Sequence, residues 1–585
     1  MTEPTLPTGA QTSGADMVTA LVRLRSVLQE AVLPLELPGV EASRHARAEM
    51  VDQLEDYVIP RVVTLDAPLL AVVGGSTGAG KSTLVNSLVG TRVTEAGVLR
   101  PTTRSPVLVH NPADAHWFGP GRLLPELERV SRPTVDPRAL QLVPLDVVPE
   151  GLAILDAPDI DSVEESNRHL AAELLAAADL WIFVTSAARY ADQVPWDFLR
   201  QAADRSAAVA IVLDRTPADA VETVSTHLAR MLAARGLKDS PLFTVNETAL
   251  NGDGLLPPRQ VAEIRRWLSQ LGADADARAA MVKQTLDGAI RGLARRAHTV
   301  ADACLEQAEV AERLRVGAEA AYDEEIRKII DATADGTLLR GEVLVRWQEF
   351  VGTGELLKSL EQRVGRLRDR MVNAVKGKPQ QAERVSVAVE SSLETLILEH
   401  AEAAAERAEA SWQTLAPGQE LLSDVGEDLG RASRGLRRKA ERAVREWQQD
   451  VLDMVRTEGA DKRTTARFLA YGVNGLSVSL MVVVFAQTAG LTGAEFGIAG
   501  GGAVLWQKLL EAVFGDQAVR TLSERARRKL EVRVRALLED ERARYLDLLG
   551  SLGIEPGGAD RVRAAARKVD DVRFAASDRP PTHSH

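Results

Sequence analysis

The 585-residue chain contains a single cysteine, Cys304, which excludes an internal disulfide and suits a reducing compartment. Aromatic residues are scarce, at 4%. With alanine, leucine, glutamate and arginine abundant, that scarcity favours helix bundles over β-sandwiches outside any nucleotide-binding part. A basic excess is also missing. The 83 acidic against 71 basic residues leave a net charge of −12, so nucleic acid is not expected as a partner, because a phosphate-backbone surface needs concentrated positive charge. The first sixteen residues are polar, lack the apolar stretch of a signal peptide, and read as a disordered tail. From about Ala275 to Asp461 there is no strand signal, only helical-period alternation of Ala, Glu, Arg and Leu.

Against those absences stands an ample 45% of hydrophobic residues, in a chain too long for one core. Leu69 to Gly90 reads LLAVVGGSTGAGKSTLVNSLVG, an apolar run, a glycine-rich loop and an amphipathic run. Gly75, Ser76, Thr77, Gly78, Ala79, Gly80, Lys81 and Ser82 match G-x-x-x-x-G-K-[ST] at every fixed position, in the strand-then-helix context that the motif needs. Small residues let successive backbone N–H groups close around phosphate oxygens, and the helix beginning at Lys81 adds its positive dipole end. Lys81 is expected on the β- and γ-phosphates and the Ser82 hydroxyl on Mg²⁺.

Four further apolar runs, Val107 to Val109, Leu152 to Leu155, Leu180 to Thr185 and Ala208 to Leu213, alternate with helical segments. The alternation predicts a doubly wound, mostly parallel α/β domain over residues 63–275, preceded by helices over 17–62. Asp156 ends the second of those runs, where a Walker-B carboxylate holds Mg²⁺ through water. Thr103 lies in the loop before Val107, where a switch threonine completes the ion's shell.

Residues 276–465 predict a bundle of long helices. Phe468 to Ala494 then carries no charge, a length able to cross a bilayer core of about 30 Å as a helix. The shorter run Phe496 to Gln507 follows a glycine-rich turn near Gly490 to Gly502. Lys462, Arg463 and Arg467 precede the pair, and Arg520, Arg525, Arg527, Arg528 and Lys529 follow it. This predicts an apolar helical hairpin over 466–515 that dips into or crosses a membrane with both ends cytoplasmic; the alternative is a hairpin buried in the bundle core. Residues 516–570 predict a helix returning along the bundle, and 571–585 a disordered tail.

Several details resemble the dynamin-type GTPases. Lys81-Ser82-Thr83-Leu84-Val85-Asn86 is similar to their K-S-x-L-x-N helix, Thr103-Arg104-Ser105-Pro106 to the T-R-x-P switch, and Asp156-Ala157-Pro158 to the D-x-P of their third motif. Asp214-Arg215 stands where the base-reading [TN]-K-x-D follows a strand. The resemblance, to bacterial members of an actinobacterial group, implies a P-loop GTPase head with GTP and Mg²⁺ as cofactors. It also implies a helical neck and stalk and a membrane-facing tip on the cytoplasmic face of the cell membrane. Implied partners are the inner leaflet, a second copy or a dynamin-like paralogue paired through the nucleotide domain, and division-machinery proteins at the septum. Lys81 and Thr103 are then the catalytic residues, and Ser82, Thr103 and Asp156 hold the metal. The nucleotide is held by residues 75–83 with Asp214 and Arg215. Three departures stand out. Thr77 replaces the loop glutamine, Asp159 replaces the glycine of the third motif, and Pro217 replaces the base-reading aspartate. The first two imply slow hydrolysis. Alternative readings are a soluble regulatory NTPase and a nucleotide-binding scaffold that does not hydrolyse.

Overall fold

The computed structural model describes residues 8–577 apart from 96–104, 120–123, 125–126, 135, 163–164, 205–206, 335–337, 339–341, 352–378, 461–462, 487–506, 508–509 and 512–513. Thr103 and the turn at 490–502 therefore lie outside the described residues. The chain divides into two compact units. One comprises Met1–Leu33, Gly39–Glu306 and Glu555–His585; the other comprises Pro34–Pro38 and Gln307–Ile554.

The first unit holds an eight-stranded sheet in the order β3-β4-β2-β5-β1-β6-β7-β8. Its strands are β1 Leu69–Gly75, β2 Val107–His110, β3 Glu128–Val130, β4 Ala139–Pro144, β5 Leu152–Asp156, β6 Leu180–Ser186, β7 Ala208–Thr216 and β8 Leu242–Asn246. Every neighbouring pair is parallel except β2 with β5. Strands β1, β5 and β6 are buried along their whole length, as continuous apolar runs must be when helices cover both faces. This is the doubly wound α/β arrangement expected from the alternation of runs. It places the C-terminal ends of β5, β1 and β6 side by side, which is where ligands bind in open parallel sheets.

Helices complete this unit. Thr8–Glu30 begins inside the segment expected as a polar tail, and it packs along Gly558–Ser577, which reaches into the segment expected as the other tail. Arg563 and Arg573 tie the latter helix to Asp302 and Asp287 of Ala275–Ala334. A buried anchor sits at the foot of β1. Asp179 accepts from Leu70 N at 2.9 Å and from Tyr57 Oη at 3.2 Å, and it pairs with Arg61 at 3.0 Å.

In the second unit, helices Pro379–Trp412, Leu436–Ala460, Arg463–Ala486 and Asp516–Ser551 surround one core with the second part of Ala275–Ala334. Trp412, Trp447 and Tyr545 are fully buried, and each spends its polar atom on a backbone carbonyl: Leu314 O at 2.9 Å, Ala526 O at 2.8 Å, and Leu429 O at 2.8 Å. A bundle of long helices is present, as expected, but the first part of Ala275–Ala334, to Glu306, belongs to the unit that holds the sheet.

Over its described part the apolar run follows the alternative, burial in the bundle core, while 487–506, including most of the second run, lie outside the described residues. Leu476, Val478, Leu480, Met481, Val482, Val483, Val484 and Phe485 are all buried in this core. Among the described residues no helix is long and apolar enough to cross a membrane. The physical reason is that a helix apolar on every side suits a bundle interior as well as lipid. Ser477 and Ser479 are buried too, and Ser479 satisfies its hydroxyl on Gly475 O at 2.7 Å. The expected single returning helix over 516–570 is two helices, Asp516–Ser551 and Gly558–Ser577.

Candidate functional site

The loop leaving β1 turns back on itself before helix Lys81–Val89, with Ala79 N bonded to Ser76 O at 3.0 Å. Two glycines have no substitute in this turn. Gly75 has φ 149°, and a Cβ there would lie 2.0 Å from the backbone oxygen of Val184 on β6; Gly80 has φ 101°, and a Cβ would lie 2.0 Å from an Asp214 carboxylate oxygen. The loop is therefore pressed between the ends of β6 and β7, and only glycine admits both approaches. Gly78, at φ 75°, shares the left-handed conformation.

Lys81, buried to 4% exposure, folds its ammonium back over the loop. It donates to Gly75 O at 3.0 Å and Ser76 O at 3.2 Å and pairs with Asp159. Ser82, in the first helical turn beside Thr83, donates to Asp156 Oδ2 at 2.7 Å. Asp156, at the end of β5, is fully buried. Burial raises its carboxyl above the usual range, against the opposing hydrogen bonds of Ser82 and Thr94 and the charge of Lys81. Its other oxygen, Oδ1, has no protein partner among the described residues, and neither has the buried Ser76 hydroxyl. A buried carboxylate oxygen and a buried hydroxyl thus stand without a protein partner beside the end of β1.

Thr94 was not singled out from the sequence, yet its hydroxyl donates to the same Asp156 oxygen at 2.8 Å. Asn86 puts it there. The Asn86 side chain accepts from Val93 N at 2.8 Å and Thr94 N at 3.0 Å and donates to Thr94 O at 2.9 Å, closing the segment after the helix onto the site. The asparagine of the K-S-x-L-x-N pattern was the signal that could have found it.

A second cluster holds Thr77. Asp161 accepts from Thr77 N at 2.6 Å and from its hydroxyl at 2.7 Å. Arg189, from the loop after β6, donates to Thr77 O at 3.0 Å and pairs with Asp161 at 2.8 Å and Asp192 at 2.8 Å. Burial would raise the Asp161 carboxyl, but the Thr77 bonds and the Arg189 charge outweigh it and leave it lowered. Neither Asp161 nor Arg189 belongs to a motif, so sequence reasoning passed over both.

Asp214 closes the far side of the loop at the end of β7. Its Oδ1 accepts from Arg215 N at 2.7 Å, and burial lifts its carboxyl to about 6 against that bond and the Arg215 charge. Arg215 is exposed and left-handed, at φ 48°. The structure thus brings residues 75–83, Asp156, Asp214 and Arg215 to one end of the sheet.

No family model matches the chain. A probable transmembrane FZO-like GTPase, chloroplastic, of Arabidopsis thaliana is 26% identical over 156 residues, a match spanning 27% of this chain and 16% of that protein. Among solved structures, the chain is similar to a member of an oligomerised bacterial dynamin pair described as sensing and tethering membranes at long range. Identity is 10%, coverage 99% of this chain and 96% of that one, and the TM-score 0.40. It is also similar to the LeoA bacterial dynamin GTPase from ETEC, at 11% identity over 97% of this chain and 98% of that one with TM-score 0.22. Aquifex aeolicus Era bound to GDP and aluminium fluoride aligns at 17% identity over 35% of this chain and 56% of that one, with TM-score 0.23.

Proposed function

We propose that this chain is a dynamin-like GTPase whose phosphate loop binds GTP with Mg²⁺ and hydrolyses it to GDP and phosphate. The observation that carries the reading is the convergence of Lys81, Ser82 and Asp156 at the end of β1, with Asp156 Oδ1 and Ser76 Oγ left open. A phosphate loop needs a cation over the phosphates, a hydroxyl and a carboxylate for the ion, and free N–H groups in the turn. The sequence match to a GTPase of plants supports guanine as the base.

Ser82 would ligate Mg²⁺ directly and Asp156 through water, a hard oxygen set that suits this ion. No group of three or more His, Cys, Asp or Glu able to hold a metal occurs among the described residues, so the remaining ligands would come from water, phosphate and Thr103. Bound Mg²⁺ would neutralise charge developing on the transferred phosphoryl group. Lys81 would hold the β- and γ-phosphates, and Asp214 with Arg215 would face the base side of the loop. Nucleotide-dependent pairing of this domain with a second copy or a paralogue, acting on the cytoplasmic face of a membrane at the septum, completes the reading.

Binding of fluorescent GTP and ATP analogues with and without Mg²⁺, alongside phosphate release, tests it. GTP binding that Mg²⁺ tightens and that is lost in Lys81→Ala is the expected result; binding indifferent to that substitution would sink the assignment. A second reading, binding without turnover, is favoured by Thr77 in the loop and by the Lys81–Asp159 pair. It predicts binding with no phosphate release above that of Lys81→Ala. Liposome flotation of the intact chain tests the membrane component, which fails if no lipid composition carries the protein upward.

A further inference from the structure

The candidate site is already engaged by acids of its own chain. Asp159 and Asp161 follow β5 in the sequence Asp156-Ala157-Pro158-Asp159-Ile160-Asp161. The segment lies against the loop, with Ala157 N on Val73 O at 3.1 Å and Ile160 N on Gly75 O at 3.4 Å. Asp159 pairs with Lys81, and both side chains are largely removed from water, at 12% and 4% exposure. Asp161 takes the backbone N–H and the hydroxyl of Thr77. A lysine ammonium and a loop N–H are the kinds of donor with which a phosphate loop holds its ligand, and here each is given to a carboxylate.

Arg189 makes this engagement more than a chance contact. It pairs with Asp161, bonds the carbonyl of the same Thr77 and is itself held by Asp192. Asp161 is thereby fixed from one side by Arg189 and from the other by the loop residue whose N–H it covers. A polyphosphate approaching Lys81 must break a buried ion pair and bring its charge towards two carboxylates.

Resting on the phosphate-loop reading above, we propose that Asp159 and Asp161 form an internal anionic plug that competes with polyphosphate for Lys81 and the Thr77 N–H, with Arg189 as the residue that holds the plug in place. The apparent affinity of such a site is its intrinsic affinity reduced by the fraction of molecules in which the plug is open. Removing either acid raises that fraction and also removes a repelling charge. Removing Arg189 loosens the hold on Asp161 but leaves its charge near the loop, so it raises that fraction less than removing an acid does.

The test is calorimetric titration of the full chain with inorganic pyrophosphate and, separately, with GTP. Parent, Asp159→Asn, Asp161→Ala, Arg189→Ala and Lys81→Ala are compared, with thermal unfolding of each as a check on folding. Asp159→Asn is expected to bind pyrophosphate at least about tenfold more tightly than the parent, Asp161→Ala more tightly to a lesser degree, and Arg189→Ala more tightly than the parent but less so than either acid variant. Should Asp159→Asn fail to fold, Asp159→Gly takes its place. Folded acid-deleted variants that bind no more tightly than the parent overturn the plug, while loss of binding in Lys81→Ala leaves the phosphate-loop reading standing. Binding that survives Lys81→Ala, or no binding by any variant, overturns both.

Discussion

The hydroxyl of Ser82 lies 2.7 Å from Asp156 Oδ2, joining the helix that follows the phosphate loop to the end of a strand on the other side of β1. That one bond ties two segments far apart in sequence into a single site. Its geometry depends on β5 lying directly beside β1 in parallel register, with Val73 opposite Asp156. The Thr94 hydroxyl reaches the same oxygen, so Asp156 is oriented by two donors while Oδ1 stays open. On the proposed function, a carboxylate held in this way would be preorganised for an ion that arrives with the nucleotide.

Asp156→Asn should lower Mg²⁺-supported nucleotide affinity by roughly 10- to 100-fold, the usual effect of disturbing the groups around a metal. Binding measured in excess chelator should change little, since the amide oxygen can still accept from Ser82 and Thr94. Thermal stability should hold or rise, because burial already works against the ionised carboxyl. Equal loss of affinity with and without Mg²⁺ would refute a metal role for this residue.

Asp214 predicts a pH effect on stability. Burial lifts it from an ordinary 3.8 to about 6, so between those values the folded chain keeps a proton that the unfolded chain releases. Its contribution is fully present below pH 3.8 and is lost as pH rises through about 6, leaving at neutral pH a buried anion that costs about 3 kcal/mol at most. Asp214→Asn should therefore unfold at a higher temperature than the parent at pH 7.5, with the advantage vanishing towards pH 4. An advantage independent of pH would mean that the carboxyl does not titrate in this range.

What the sequence made legible, and what it hid, divides along physical lines. Gly75, Gly80, Lys81, Ser82 and Asp156 could be placed because each sits at a fixed spacing from a strand end, and the alternation of runs predicts those ends. Asp161 and Arg189 could not, because they meet Thr77 only through the lateral order β5-β1-β6, which no local spacing encodes. The apolar residues Leu476 to Phe485 left two readings open for a different reason. Hydrophobicity reports that a helix avoids water, and it does not report whether lipid or other helices cover it. Buried Trp447, whose ring centroid lies 5.6 Å from that of Phe485, is one of the residues that cover it.

Phe485→Ala follows from that packing. A fully buried aromatic side chain replaced by alanine costs about 3–5 kcal/mol through lost transfer energy and the cavity left behind. The loss should appear in detergent-free buffer as a lower urea midpoint for the helical unit. Were Leu476 to Phe485 instead a lipid-facing segment, the substitution would leave that midpoint where it was and weaken flotation on liposomes.

The last prediction concerns how the N-terminal helices are fastened to the sheet. Arg61 and Asp179 are each 2% exposed and meet at 3.0 Å. Deleting one member of a buried pair strands the other charge away from water, a loss of about 3–5 kcal/mol, whereas removing both charges leaves no such remainder. Arg61→Met alone should therefore lower the unfolding midpoint of the unit that holds the sheet more than Arg61→Met combined with Asp179→Asn does. The amide can still accept from Leu70 N and Tyr57 Oη, which bond Asp179 in the parent. If the single and double variants unfolded together, the pair would be contributing packing alone, and the anchor would rest on the hydrogen bonds to Asp179 and not on charge.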